Sequence, residues 1–405
     1  MADMREASFD MSTWSATAFP PPKVPTHPVL SFRSLSALPP APAVQSVLDA
    51  GSSLRLTSGR VALATALSLS GTEAGDRVLL PAYNCRSMVD AVRWTGAEPV
   101  FYKSKPSLAV TLEDVAAKVD ARTRALVVVH YFGFPQPDLP RLRTFCDERG
   151  IALIEDCAHC FFGTFDGKPI GSFGDFAIAS PTKFFPVYDG GLLVSARHAL
   201  DDVKLRKGSR AFQIKALLNN VERSFAYSRL RPLNWMMALP LYAKDRLWSL
   251  AKRVEAPFAT DGLGPDASGD AYALDPAWVD VEMSAVSVAL CRWTRIPRLV
   301  ERRRRHFTAL LRAFESEPGC RPLYAELGDG VVPYVFPLLV ENAERVFPRL
   351  KMRGVPLFRW EDVRHGVCET STLYSQSLFQ LPCHQELSAH ELDWLISEVR
   401  RALER

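Results

Sequence analysis

Apolar and polar positions change rhythm repeatedly along this chain. Six short apolar runs lack polar alternation: DRVLLP (76–81), AEPVFY (97–102), RALVVVHYF (124–132), IALIEDC (151–157), DFAIAS (175–180) and GGLLVSA (190–196). Such runs read as strands buried on both faces, as in a mostly parallel sheet covered by helices. Amphipathic stretches stand between the first four and before them: GRVALATALSLS (59–70), CRSMVDAVRWTG (85–96), LEDVAAKV (112–119) and PDLPRLRTFCDERG (137–150). Gly96 and Gly150 close two of these helices, in the position where a left-handed cap residue is wanted. The alternation predicts an α/β domain that binds its ligand at the carboxyl ends of the strands.

The rhythm breaks near residue 205. Residues 205–256 read as helical, basic and rich in Leu, Trp and Met, and EAPFATDGLGPDASGDAYALDP (255–276) reads as a loop. A long helix is expected over 282–316, interrupted or kinked at Pro297, with ERRRRHF (301–307) as a solvated face. VVPYVFPLLV (331–340), VFPRLKMRGVPLFRW (346–360) and SAHELDWLISEVRRALE (388–404) predict a smaller C-terminal α+β domain ended by an amphipathic helix. The prolines of the first 45 residues forbid a long helix, leaving a flexible or surface-draped arm. The expected division is an arm (1–45), a large domain (46–204), a helical insert with its loop (205–275), and a connecting helix with the small domain (276–405).

Composition narrows the function classes. The 405 residues carry 49 basic and 45 acidic side chains, and an excess of +4 is too small to argue for a nucleic-acid partner. Eight scattered cysteines without a secretory leader indicate a reduced, cytoplasmic setting. CAHC (157–160) has the spacing of half a zinc site but no matching second pair, so no metal is expected and the thiols read as small apolar groups. No run of about 18 apolar residues marks a membrane span.

The chemistry gathers around AIASPTKFFPVYDGG (177–191), which sets Lys183 between apolar runs. An ammonium there is costly unless paired, and desolvation lowers its pKa toward the nucleophilic range. Taken alone, Lys183 is either an ordinary loop lysine or a buried nucleophile. In IALIEDCAHC, Glu155, Asp156 and His159 fall at the carboxyl end of an apolar strand. Asp156 there caps the next segment or pairs with an arginine, or it pairs with a protonated pyridine nitrogen while Lys183 bonds the same molecule, pyridoxal phosphate. An anion site is available in TSGRVALATAL, where Ser58 and Gly59 open a helix and Arg60 adds charge, although Ser-Gly before a helix is also a common cap.

The order of SGRVAL, GDRVLLPAYNC, GAEPVFY, LIEDCAHCFFG, GSFGDFAIASPTKFFPVYDGGLLV and LPCHQELSAHELDWLISEVRRAL resembles the DegT/DnrJ/EryC1/StrS family of pyridoxal-phosphate-dependent sugar aminotransferases, over most of 50–200 and again over 283–405. The resemblance implies the fold-type-I aminotransferase architecture and pyridoxal 5'-phosphate as cofactor. It makes Lys183 the Schiff-base lysine, Asp156 the pyridine-nitrogen partner and His159 the hydrogen-bond partner of the ring hydroxyl. Gly59 and Arg60 fall on the phosphate-binding turn, where Thr or Ser is more usual than Arg60. Three further positions depart from the pattern. Cys85 stands where an aromatic usually stacks on the cofactor ring, with Tyr83 close enough to substitute. Ile178 replaces a serine, leaving Ser180 to take over the phosphate contact. WVDVEM (278–283) puts Asp280 where the family has an asparagine that reaches the partner subunit's phosphate, which implies a rearranged pocket across the dimer interface.

By the same resemblance the partners are an amino donor, typically glutamate, a nucleotide-linked keto sugar, and a second subunit in a homodimer. The competing readings are a non-catalytic or regulatory protein on this scaffold, and another pyridoxal-phosphate reaction such as C–S cleavage or decarboxylation. One segment stays outside the resemblance. In RLRPLNWMMALPLYAKDRLWSLAKR (229–253) and the next residue, Ala243, Leu247, Leu250, Ala251 and Val254 recur at helical spacing, opposite Lys244, Lys252 and Arg253. Such a helix packs on the protein or its dimer partner, lies on an anionic membrane surface, or closes over the substrate.

Overall fold

The computed structural model describes residues 19–35, 44–230, 274–360 and 367–404. Strand β4 (Thr123–Val129) shows why the apolar runs lack alternation. Its Ala125, Val127 and Val129 enter one core with Val61, Ala62 and Leu67, whereas Leu126 and Val128 enter another with Val115, Leu139 and Leu142. Successive side chains point to opposite faces, and both faces are covered.

In chain order the large domain comprises β1 (Ser52–Leu56), α1 (Gly59–Leu69), β2 (Arg77–Pro81), α2 (Arg86–Trp94), β3 (Glu98–Tyr102), α3 (Leu112–Lys118), β4, α4 (Leu139–Arg149), β5 (Ala152–Asp156), the hairpin β6 (Thr164–Phe165) and β7 (Lys168–Pro169), β8 (Phe176–Ala179) and β9 (Gly191–Ser195). Seven strands form one sheet in the order β1-β9-β8-β5-β4-β2-β3. The run from β8 to β3 is parallel, while β9 is antiparallel to both β8 and β1. Strand β1 was missing from the sequence reading because SSLRL is mostly solvent-facing and too polar to stand out. The chain runs outward from β2 to β3 and then returns to β4, β5 and β8 on the other side. This reversal opens a crevice at the carboxyl ends of the strands.

The insert contributes α5 (Arg210–Ala226), capped by Ser209, whose Oγ accepts from Phe212 N at 3.1 Å. The helix expected over 282–316 is broken into α6 (Ala285–Trp293) and α7 (Ile296–Phe314). Pro297 lies in the first turn of α7, where its missing N–H has no helical partner to lose. Strands β10 (Cys320–Pro322), β11 (Val335–Val340) and β12 (Leu378–Pro382) make a second, antiparallel sheet. With α8 (Ala343–Met352), α9 (Glu369–Ser377) and α10 (Ala389–Leu403) they form the small C-terminal α+β domain, whose core includes Phe307, Phe336, Leu350 and Leu395.

Two expectations need correction. ERRRRHF is not a solvated face throughout: Leu299, Arg303, His306, Phe307, Leu310 and Phe314 share the inward face of α7, and Arg303 is fully buried. Spacing of three and four overrides the polarity of the run. The N-terminal arm is draped rather than flexible over 19–35. Lys23 N donates to Gly354 O at 2.9 Å, His384 Nε2 donates to Pro25 O at 2.8 Å, Ser31 Oγ donates to Glu386 Oε2 at 2.7 Å, and Arg295 N donates to Ser34 O at 2.9 Å. Almost all of the 229–253 segment lies outside the described residues. Among the described residues, no helix is long and apolar enough to cross a membrane.

Candidate active site

A cavity of about 660 Å³ opens at the carboxyl ends of β4, β5 and β8, within the size range of small-molecule sites. Val129, Asp156 and Ile178 reach it from the strands, Cys85 from the connection after β2, Ser87 and Met88 from the first turn of α2, and Thr57 to Arg60 from the start of α1. Six of the seven residues named from sequence line this one space: Gly59, Arg60, Asp156, His159, Ser180 and Lys183.

Lys183 ends a single tight turn, Pro181–Lys183, that follows β8, and its N–H donates back to Ser180 O at 3.2 Å. Its Nζ lies 5.4 Å from the centroid of the Tyr334 ring. Burial lowers the pKa of its ammonium below the ordinary lysine value, and the charge of Asp156 opposes that shift. Asp156 is the last residue of β5. Its Oδ1 accepts from Ala158 N at 2.8 Å, its only side-chain hydrogen bond among the described residues. Burial raises its carboxyl, while the Lys183 charge and the Ala158 N–H hold it down.

His159 packs between Phe132, at 5.6 Å and 25°, and Tyr334, at 4.6 Å. Burial and the Lys183 charge push its pKa well below 6.5, so the ring is neutral. Its Nδ1 is enclosed without a hydrogen-bond partner. An orphaned buried nitrogen beside a cavity is open to a ligand hydroxyl.

The turn into α1 depends on a glycine that the sequence reading did not single out. Gly190 N donates to Thr57 O at 2.8 Å, and a Cβ on Gly191 would lie 2.0 Å from Ser58 O. Only a residue without a side chain lets β9 pass this close behind the turn. A Cβ on Gly59 would meet nothing nearer than Ser180 Cβ at 3.5 Å. Ser58 Oγ caps the helix by accepting from Val61 N at 3.4 Å, and Ser180 Oγ lies 3.1 Å from Thr182 Oγ1.

Tyr83 requires a correction. It is fully buried and lies off the cavity wall, which takes the aromatic rings of Tyr188 and of Trp360 from the small domain. Trp360 packs on Tyr83 at 4.9 Å and on His159 at 5.4 Å. The chain after α8 brings it there, and no local pattern in the sequence marks it. Asp280 is also away from the cavity: it is half exposed and bonds Arg206 Nε at 2.9 Å. Other lining residues missed from sequence include His27, Asp189, Lys215, Asn219 and Arg223. Helical spacing of the last three was a readable signal.

The buried trio His130, Glu155 and Cys157 is close enough to suggest a metal. His130 Nδ1 accepts from Gln136 N at 2.9 Å, so its Nε2 carries the proton and donates to Glu155 Oε2 at 3.0 Å. Glu155 Oε1 accepts from the N–H groups of Phe173 and Gly174 at 2.7 and 2.6 Å. With these atoms engaged, the network is structural and stiffens the ends of β4 and β5. All eight cysteines are free thiols.

A lysine, a carboxylate and a neutral histidine line one cavity at the strand ends of a mostly parallel sheet, in a fold shared with solved aminotransferases, and the arrangement is the one expected for pyridoxal phosphate. The residues fit the cofactor on three independent points: the orphaned His159 Nδ1, the singly engaged Asp156 carboxylate, and the close passage of Gly191 behind the α1 turn. Residues 42–222 match the DegT/DnrJ/EryC1/StrS aminotransferase family. It is 37% identical over 154 residues to the GDP-perosamine synthase of Vibrio cholerae, covering 37% of this chain and 42% of that protein. It is 35% identical over 144 residues to the dTDP-4-dehydro-2,3,6-trideoxy-D-glucose 4-aminotransferase of Saccharopolyspora spinosa, covering 35% and 37%. The match thus spans less than half the length of these relatives. Among solved structures, the aminotransferase TlmJ of Streptoalloteichus hindustanus superposes with a TM-score of 0.59 at 24% identity, over 87% of this chain and 85% of that one. Helicobacter pylori PseC, an aminotransferase of pseudoaminic acid biosynthesis, gives 0.59 at 14% identity over 92% and 99%. At these identities the likeness concerns the fold.

Proposed function

We propose that this protein is a cytoplasmic, homodimeric aminotransferase that uses pyridoxal phosphate to move an amino group from glutamate to the keto group of a nucleotide-linked sugar. The observation that carries the reading is the Lys183–Asp156 pair in one buried cavity, with Lys183 made less basic by burial. Pyridoxal phosphate, when bound, supplies the electron sink for breaking a C–H bond next to nitrogen. Lys183 would hold the cofactor, and its Nζ could take and return a proton at the substrate carbon, a role suited to an amine whose basicity burial lowers. Asp156 would hold a proton on the pyridine nitrogen, and His159 would meet the ring hydroxyl through the nitrogen that has no protein partner. Ser58, Gly59, Arg60 and Ser180 would receive the phosphate at the N-terminus of α1.

Naming of the relatives supports the substrate class, since GDP-, UDP- and dTDP-linked sugars appear among them. Free thiols at all eight cysteines suit a reducing compartment. Added pyridoxal phosphate should give a near-visible absorbance band that glutamate bleaches. Borohydride should then fix the cofactor to the peptide containing Lys183. A protein that takes up no cofactor, or that fixes it to another lysine, refutes the reading.

A further inference from the structure

We propose that Lys215, Asn219 and Arg223 of α5, with His27 of the N-terminal arm, form an oxyanion subsite that holds the diphosphate of a nucleoside diphosphate. The substrate class rests on the aminotransferase reading, whereas the subsite itself rests on the geometry of α5.

Helix α5 buries Phe212, Ala216, Asn220 and Ser224, four residues apart, and Phe212 and Ala216 pack with Tyr188, Trp278 and Val281. The adjacent stripe, also at intervals of four, is Lys215, Asn219 and Arg223, and all three line the cavity that contains Lys183. No carboxylate is among the groups whose charge acts on Arg223; Tyr227 alone raises its pKa against burial. Burial lowers the pKa of Arg223, a sign that its charge lacks compensation. A desolvated guanidinium and a second cation on one wall call for a counterion, which an anionic ligand supplies.

Two further groups point the same way. Asn219 Oδ1 is enclosed without a hydrogen-bond partner, and an amide can turn to offer its NH₂ to an anion. His27 stacks on Phe358 at 5.4 Å and 26° and lies near Arg223, Lys183 and Arg303, whose charges add to burial in keeping its ring neutral. A neutral imidazole retains one N–H to donate. The arm that carries it is anchored on either side of His27, by Pro25 O and by Ser31 Oγ.

Length distinguishes the ligand. From residue 215 to 223 the helix rises about 12 Å at 1.5 Å per residue, more than one carboxylate or one monophosphate bridges. The cofactor phosphate has the start of α1 and Arg60. A diphosphate with its nucleoside matches both the extent and the charge of the stripe, and it favours the nucleotide-linked relatives over those named for scyllo-inosose.

The test is calorimetric titration of the cofactor-loaded protein with UDP, GDP, dTDP and inorganic pyrophosphate at low salt, with cofactor uptake followed separately by absorbance. Arg223→Gln should weaken the best-bound nucleotide at least tenfold, and Lys215→Gln/Arg223→Gln about a hundredfold. Asn219→Asp, which keeps the volume and adds a negative charge, should also weaken it, and covers the case in which the double variant fails to fold. Wild-type protein that binds no diphosphate, or variants that bind it unchanged, overturn the subsite. So does a loss confined to cofactor uptake or to glutamate bleaching, which would assign the stripe to the cofactor phosphate or to the donor carboxylate. Nucleotide binding through the stripe in a protein that takes up no cofactor would keep the subsite and sink the aminotransferase reading.

Discussion

Arg303 donates from Nη2 to the backbone carbonyl of Lys183 at 2.8 Å, across 120 positions of sequence. Its Nη1 donates to Pro333 O and Tyr334 O, both at 3.0 Å, its Nε donates to Gln385 Oε1 at 2.9 Å, and its guanidinium lies 4.5 Å from the Phe184 ring centroid. A helix of the small-domain side thus clamps the turn that carries the candidate nucleophile.

Arg303→Met should therefore cost stability and spoil the lysine's position. Four acceptors lose a charged donor, at about 1–3 kcal/mol for each buried group left unsatisfied, so a total loss of roughly 3 kcal/mol or more is expected even after relaxation. Urea unfolding measures this. A variant as stable as wild type would mean that water replaces the guanidinium at no cost.

Asp156→Asn should lower the basicity of Lys183 further, because the Asp156 charge is the main influence that raises it against burial. The pH dependence of amine modification in the cofactor-free protein should shift to lower pH. Turnover should fall about 10²–10³-fold, as for removal of one essential electrostatic partner. An unchanged modification profile would show that Asp156 does not act on Lys183.

Acid should unfold the protein through its neutral histidines. His27 and His306 are lowered to about 3 and about 4, chiefly by burial, and His159 and His384 lie well below 6.5 for the same reason. The unfolded chain protonates all four below about pH 6.5 while the folded one does not, so the unfolded state binds more protons and stability falls as pH falls through that window. Each histidine adds a slope of about 1.4 kcal/mol per pH unit once the unfolded form is fully protonated. Urea midpoints measured between pH 7.5 and 4.5 should drop, and His306→Gln should flatten the curve. A midpoint that stays level down to pH 4.5 would refute the account.

Gly191→Ala and Gly59→Ala should differ sharply, although both glycines lie at the same turn. The first places a Cβ 2.0 Å from Ser58 O and forces backbone movement, with an expected loss of about 3 kcal/mol or more and weaker cofactor uptake. The second meets Ser180 Cβ only at 3.5 Å and should change the stability of the cofactor-free protein by less than about 1 kcal/mol. Thermal melts of the two variants decide the matter, and equal losses would overturn the distinction.

The sequence alone determined whatever follows from local periodicity. Double-faced apolar runs marked the inner strands, glycines marked helix ends, Pro297 marked the break between α6 and α7, and the spacing of Asp156, His159 and Lys183 around two strand ends marked the cavity. These features are legible because strand and helix periods and the carboxyl-end rule act over a few residues. Only the tertiary structure decided what depends on approach between distant segments. Trp360 rather than Tyr83 walls the cavity, Arg303 turns inward from a run of charges to hold Lys183, Gly191 rather than Gly59 permits the turn, and His27 arrives on an arm anchored to the small domain. In each case the deciding quantity is a distance across the fold, which side-chain type and spacing along the chain do not encode.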